Sequence, residues 1–151
     1  MRLQISTQLA IFAILELATR EGHQLSVAEI GEKYGVSSHH LAKVMHVMGR
    51  AGFVRSVRGA GGGYQFAGNA RRMTLLDVVQ LFGDLSSVEP QTSLADATAE
   101  GQALRRVLSE IDDITQATLG SVTIATMCKL VSRHGGNGEQ RPKSVALRHR
   151  T

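Results

Sequence analysis

The sequence predicts a mainly α-helical protein carrying one small β-hairpin, and three observations lead there. Apolar residues recur at helical spacing along most of the chain, and two short helices flank a glycine-containing turn at Gly35. A glycine-rich run, Arg58-Gly59-Ala60-Gly61-Gly62-Gly63-Tyr64, then separates two strand-like stretches. The chain has 151 residues, 42% apolar but only 4% aromatic, with no tryptophan, so any core is aliphatic. A single domain of this length buries about 70% of its unfolded surface; an elongated two-part chain with a dimer interface fits equally.

Residues 5–20 read as a buried first helix. The apolar run from Leu9 to Leu15, preceded by Arg2, imitates a secretory signal, but Glu16, Arg20 and Glu21 interrupt it and no small-residue cleavage site follows. It is also far shorter than the roughly 20 residues that span a bilayer. A cytoplasmic protein without membrane contact is expected. The single cysteine excludes an internal disulfide and suits a reducing compartment.

Ser26-Val27-Ala28-Glu29 has serine at an N-cap and glutamate three residues on, a capping box that opens a second helix. Its apolar residues run to Gly35, which fits a left-handed C-cap. A third helix then starts at Ser37 or Ser38, either of which can cap it. Leu41, Val44, Met45 and Met48 form its core stripe at a period near 3.6. His39, Lys43, His46 and Arg50 lie opposite, with His40 adjacent. Two such helices make a helix-turn-helix, whose second helix can enter the major groove of DNA, and a basic outer stripe suits a phosphate-lined groove. The plainer alternative is a solvated helix face. No Cys, Asp or Glu shares that stripe, so the histidines read as polar contacts and not as metal ligands.

Phe53–Val57 and Tyr64–Ala67 carry the β-branched and aromatic residues of strands. Four glycines in the five positions 59–63 mark a tight hairpin whose backbone approaches something closely, and Arg58 at its entrance points to an anion. A nucleotide phosphate loop needs Lys-Ser or Lys-Thr after the last glycine, and a dinucleotide fingerprint needs glycine where Tyr64 stands. Neither is present. An ordinary surface hairpin explains the segment in isolation. Following a helix-turn-helix, it reads as the wing of a winged helix-turn-helix. The candidate DNA-binding residues are Ser37, Ser38, His39, His40, Lys43, His46, Arg50, Arg55, Arg58, Gly59, Gly61, Gly62 and Tyr64.

Charge is segregated in the same sense. Residues 1–72 hold nine Lys/Arg against four Asp/Glu, residues 73–132 three against eight, and residues 133–151 five against one. A basic first half is the electrostatic footprint of nucleic-acid binding, which the acidic middle would oppose.

Thr74 caps a short helix through Phe82. Gly83 to Glu100, with Pro90, is loop-like. A long amphipathic helix is expected from Gly101 to about Leu119. Leu104, Leu108, Ile111, Thr115, Thr118 and Val122 follow a three–four rhythm, reinforced by Val107 and Ile114. Packing on its own domain is one outcome. A stripe this long, with little left in the chain to cover it, instead meets its twin across a two-fold axis, with Leu104, Leu108, Ile111, Ile114, Thr115 and Leu119 as the dimerisation residues. Thr123–Ser132 forms a last short helix. The expected organisation is a DNA-binding domain over residues 1–83, a sensor-region loop over 84–100, the dimerisation and terminal helices over 101–132, and a basic, disordered tail over 133–151.

Met1-Arg2-Leu3 with Thr7, Ser26 to Ile30, Ser37 to Val44, Ala51-Gly52-Phe53-Val54, Ser56-Val57-Arg58-Gly59 and Gly62-Gly63-Tyr64 together resemble one bacterial winged-helix family. That family includes the iron–sulfur regulator IscR and the nitric-oxide regulator NsrR. The similarity covers roughly residues 1–132, and the Arg-Gly-x-x-Gly-Gly-Tyr wing is its most specific part. It implies a homodimeric transcription factor with a long dimerisation helix, most members being repressors, in which the second helix of the helix-turn-helix reads the major groove; a two-fold dimer of this kind would meet a palindromic operator. The resemblance also places the wing arginine, here Arg58, in the minor groove, and narrow minor grooves attract arginine. Cluster-binding members carry three closely spaced cysteines before the dimer helix, and several have an acidic residue where this chain has Gln8. Leu85 to Glu100 contains no cysteine. The chain therefore resembles the cluster-free branch, and no cofactor is expected.

Cys128 is either a packing residue, as free cysteine behaves as a small hydrophobe, or a redox thiol activated by Lys129. A small-molecule or protein effector at the dimer-helix region is the other option. No nucleophile, base and orienting group stand at catalytic spacing, so an enzyme is not expected. The competing function is a protein-interaction or adaptor module that uses the dimer helix without specific DNA binding.

Overall fold

The computed structural model describes residues 1–59, 61–83, 85 and 94–136. Helix α1 spans Ile5–Ala18 and is apolar and buried over most of its surface, with Ile5, Gln8 and Phe12 left exposed along one side. Ala10, Ala13, Ile14 and Leu17 are essentially inaccessible at its centre. Helices α2 (Val27–Tyr34) and α3 (Ser38–Arg50) pack against it and each other. Strands β1 (Val54–Val57) and β2 (Gly63–Phe66) pair antiparallel, with Arg55 opposite Gln65 and Ser56 opposite Tyr64. Helix α4 (Leu75–Leu81) closes the cluster through Val78, and α6 (Ile124–Gly136) returns to α1 through Ile124.

The local signals act as expected. Ser26 Oγ accepts from the Glu29 amide at 3.1 Å while the Glu29 carboxylate accepts from the Ser26 amide at 2.7 Å. Gly35 ends α2 at φ 63°, and the Ser37 hydroxyl accepts from the His40 amide at 3.2 Å to open α3. Leu41, Val44, Met45 and Met48 are all buried. Thr74 caps α4 with Asp77 as its reciprocal partner, a second capping box.

Helix α5 (Ala99–Ser121) differs from all of these: none of its 23 residues is buried. It begins at Ala99, two residues before the expected Gly101, because Thr98 Oγ1 caps it by accepting from the Gly101 amide at 3.1 Å. Its C-terminal end is anchored: Leu75 donates to the Val122 carbonyl at 2.9 Å, and Thr74 and Thr123 form an isolated bridge. Leu119 and Thr115 are half-buried there. Leu104, Val107, Leu108, Ile111 and Ile114 remain exposed, Ile114 at 67%. Helix α6 runs four residues past Ser132, to Gly136, so the first residues expected in a disordered tail are helical. The rest of that tail, 137–151, and most of the 84–100 loop lie outside the described residues. Within that loop, Leu94–Ala97 forms a 3-10 turn.

Candidate nucleic-acid interface

The side chains singled out on α3 divide by the faces of the helix. With Leu41, Val44, Met45 and Met48 committed to the core, the 3.6-residue period turns His39, Lys43, His46 and Arg50 outward, and all four are exposed. Among the described residues none of their side chains has a hydrogen-bond or ion-pair partner. They are free to meet a ligand. His40 lies off this stripe, half-buried, with Nε2 3.5 Å from Ser6 Oγ of α1. Ser37 and Ser38 sit at the N-terminal end of α3, where unpaired amides and the helix dipole favour an anion.

The hairpin stands beside the far end of α3. His46, Gly49 and Arg50 share a shallow groove of about 330 Å³ with Val54, Arg55, Ser56 and Tyr64. Recognition-helix candidates and hairpin candidates therefore line one surface. Arg55 is held flat along the hairpin, its Nε and Nη2 donating to Gln65 Oε1 at 3.1 and 2.7 Å. Arg58 is exposed at the hairpin's end and has no side-chain partner among the described residues. The two arginines are thus unequal: one is already spent on a cross-strand pair, the other is available.

The glycines serve the chain itself as much as any ligand. Gly59 and Gly61 adopt φ 136° and 76°, backbone that other residues rarely take. Gly62 has no room for a side chain, since a Cβ there would lie 2.9 Å from the Val57 carbonyl. Gly63 is closed off by the Leu25 backbone, which a Cβ would strike. The close approach expected of this run is in part an approach to residue 25. Tyr64 likewise pairs by backbone with Leu25, at 2.8 and 3.1 Å, and its side chain is half-buried against the core.

A second polar cluster, which the sequence did not reveal, ties α1 to α2. Glu16, almost fully buried, accepts from Lys33 and from Tyr34 Oη at 2.6 Å, and Arg20 lies 3.7 Å away. Burial alone would raise the Glu16 carboxyl, but the Lys33 and Tyr34 hydrogen bonds and the positive charges outweigh it and hold the group below its ordinary value. Tyr34 is pushed up by burial and by donating to Glu16. Its ring stacks on Phe12 with centroids 4.9 Å apart. This network fixes the first helix of the helix-turn-helix. Glu16 shows in the sequence only as a charge in an apolar run.

Cys128 is half-buried against the core, and burial pushes its thiol up, away from the thiolate. No three His, Cys, Asp or Glu side chains among the described residues gather as metal ligands, and no described helix is long and apolar enough to cross a membrane.

A capped helix pair followed by an antiparallel hairpin is the architecture of the winged-helix class. The sequence profile of the Rrf2 family, described as iron-dependent transcriptional regulators, matches residues 3–130, and the chain belongs to that family. The HTH-type transcriptional regulator BadM of Rhodopseudomonas palustris is 43% identical over 149 residues, 99% of this chain and 95% of its own. Among solved structures, CymR (YrzC), the global cysteine regulator of B. subtilis, matches with a TM-score of 0.72 at 25% identity, over 86% of this chain and 98% of its own. IscR of T. potens matches with a TM-score of 0.72 at 25% identity, over 89% of this chain and 90% of its own. The chain is a transcriptional regulator and not an enzyme.

Proposed function

We propose that this regulator acts in the cytoplasm as a homodimer that binds a palindromic operator and represses transcription until a signal releases it. The observation that carries the reading is the groove that His46 and Arg50 of α3 share with Arg55 and Tyr64 of the hairpin, together with the side chains of His39, Lys43, His46, Arg50 and Arg58, which are exposed without partners among the described residues. In this reading α3 lies in the major groove, the Ser37 end meets a phosphate, and Arg58 enters the minor groove. The exposed stripe Leu104, Leu108, Ile111 and Ile114 on α5, continued by the half-buried Thr115 and Leu119, meets its copy across a two-fold axis. Repression rests on the resemblance to a family whose members are mostly repressors.

The signal does not pass through an iron–sulfur cluster in this proposal. Such clusters are held by several thiolates, and the chain has one cysteine, half-buried on α6. The donor set does not fit the group. A small molecule or a protein partner supplies the signal instead, and Cys128 serves packing.

The test is to sequence the genomic fragments that the purified protein retains and then to titrate binding against salt. An inverted repeat is expected, with affinity falling steeply as salt rises, since each neutralised phosphate releases counterions. Arg58→Ala is expected to weaken specific binding by about 1–3 kcal/mol. No retained fragment and no salt-dependent duplex affinity would instead favour an adaptor that uses α5 alone.

A further inference from the structure

The hairpin does not stand free. Gln24, in the loop between α1 and α2, extends its side-chain amide so that Nε2 donates to the Gly61 carbonyl at 2.8 Å, across 37 residues of sequence. At the other side of the hairpin, Gln65 Nε2 donates to the Gly22 carbonyl at 3.3 Å while its Oε1 holds Arg55. Between them, Leu25 exchanges two backbone hydrogen bonds with Tyr64, and Gly63 lies against the Leu25 backbone with no space for a Cβ. Three successive contacts therefore clamp β2 and the hairpin tip to one short loop. The contact with Gly61 lies nearest the tip, three residues from Arg58.

We infer that Gln24 is a positioning residue for DNA recognition, setting the orientation of the hairpin tip and hence of Arg58. The inference rests on the reading of the hairpin as a DNA wing. Its physical basis is preorganisation. Gly59, Gly61 and Gly62 give the tip more conformational freedom than any other residues would, and a tip that must be ordered on binding loses affinity for the entropy of ordering. A hydrogen bond to Gly61 removes part of that freedom before DNA arrives. One of the two N–H groups of the Gln24 amide is committed to Gly61, and that bond, not a contact to DNA, is the role assigned to it. The same loop follows directly from the α1 end that Glu16 ties to α2, so the reading helix pair and the wing share one support.

The experiment uses the full chain with Gln24→Ala, Gln24→Met, Arg58→Ala and the Gln24→Met, Arg58→Ala double variant. Methionine keeps the length and packing of the side chain but donates nothing. In the DNA-free protein, amide exchange at Gly62, which donates to the Gly59 carbonyl at 2.9 Å, is expected to quicken in both Gln24 variants while α3 exchange is unchanged. Affinity for a retained operator fragment is expected to fall by about 2- to 10-fold in both, the range one net hydrogen bond covers. In the Arg58→Ala background the Gln24→Met change is expected to cost nothing further. Wild-type affinity and exchange in Gln24→Met, beside a clear loss in Arg58→Ala, would overturn the brace and leave the wing reading intact. An equal Gln24→Met loss with and without Arg58 would also overturn it, since Gln24 would then act elsewhere. Unchanged affinity in Arg58→Ala itself would remove the wing reading, and the brace with it.

Discussion

The proposed DNA reader, α1 through α4 with the hairpin, and α5 solve opposite problems. From α1 through α4 nearly every apolar stripe is satisfied inside the chain: Ile14, Leu41, Met45, Met48 and Val78 are almost inaccessible, and the polar Glu16 is fully partnered. Helix α5 has 23 residues and buries none of them, while five large aliphatic side chains face outward along it. Its N-terminal end is held by a salt bridge from Arg105 to Asp96 at 2.8 Å and its C-terminal end by α4, so the middle is presented, not frayed. The reader is complete in one copy. The long helix is complete only against something else, and in the proposed dimer that something is its twin.

The comparison can be broken most severely on the α5 side. Ile111→Asp combined with Ile114→Asp is expected to leave the melting temperature of the reader near wild type but to give a monomer in sedimentation. Operator affinity should fall about 10²–10⁴-fold, the usual loss when two linked sites become one. A dimer that survives both charges would refute the assignment of the interface.

On the reader side, Ile14→Ala is expected to cost about 2–5 kcal/mol in denaturant unfolding, because its site at the centre of α1 is fully enclosed. The same truncation at Leu104, which is 61% exposed, should cost the isolated subunit under about 0.5 kcal/mol.

A smaller effect separates the two parts by pH. Glu16 sits below its ordinary carboxyl value of 4.5 in the folded protein, so its stabilisation is fully present above that pH and is lost as pH falls through the lower folded value. Glu16→Gln is expected to cost about 1–2 kcal/mol at neutral pH, less than a fully buried pair would, because Lys33 can return to water. The gap to wild type should close under acid conditions. A gap that is constant with pH would show that the carboxylate charge is not what holds α1 to α2.

The smallest effect is expected at Cys128. Half-burial pushes its thiol up and disfavours the thiolate, so Cys128→Ser is expected to leave operator binding the same under oxidising and reducing conditions. A redox-dependent change in wild type that the variant lacks would restore the switch hypothesis.

The reader was legible in sequence because its signals are local. Ser26 with Glu29, Gly35, Ser37 and the three–four stripe of α3 each act within a few residues, and the structure places them as read. The ends of the later helices were less legible, and glycine is the reason. The sequence reading starts α5 at Gly101, yet that glycine is already the third residue of the helix, where the Ala95 backbone leaves no space for a Cβ. Gly135 and Gly136 look like breakers, but a helix end tolerates their cost of about 1 kcal/mol each. At the candidate interface, the sequence singled out Arg58 at the glycine run and named Arg55 among the contacts with no sign that it is already paired. Only the fold shows Arg55 paired with Gln65 and Gln24 reaching Gly61, because contacts made across 10 and 37 residues leave no periodic trace.

The most direct test of a two-copy reader is a hydroxyl-radical footprint of the wild-type protein on a retained genomic fragment. The account predicts two protected blocks related by inverted symmetry, centred one helical turn or a whole number of turns apart, one turn being about 34–36 Å along the duplex. Protection of a single half-site, or uniform protection without symmetry, would contradict it.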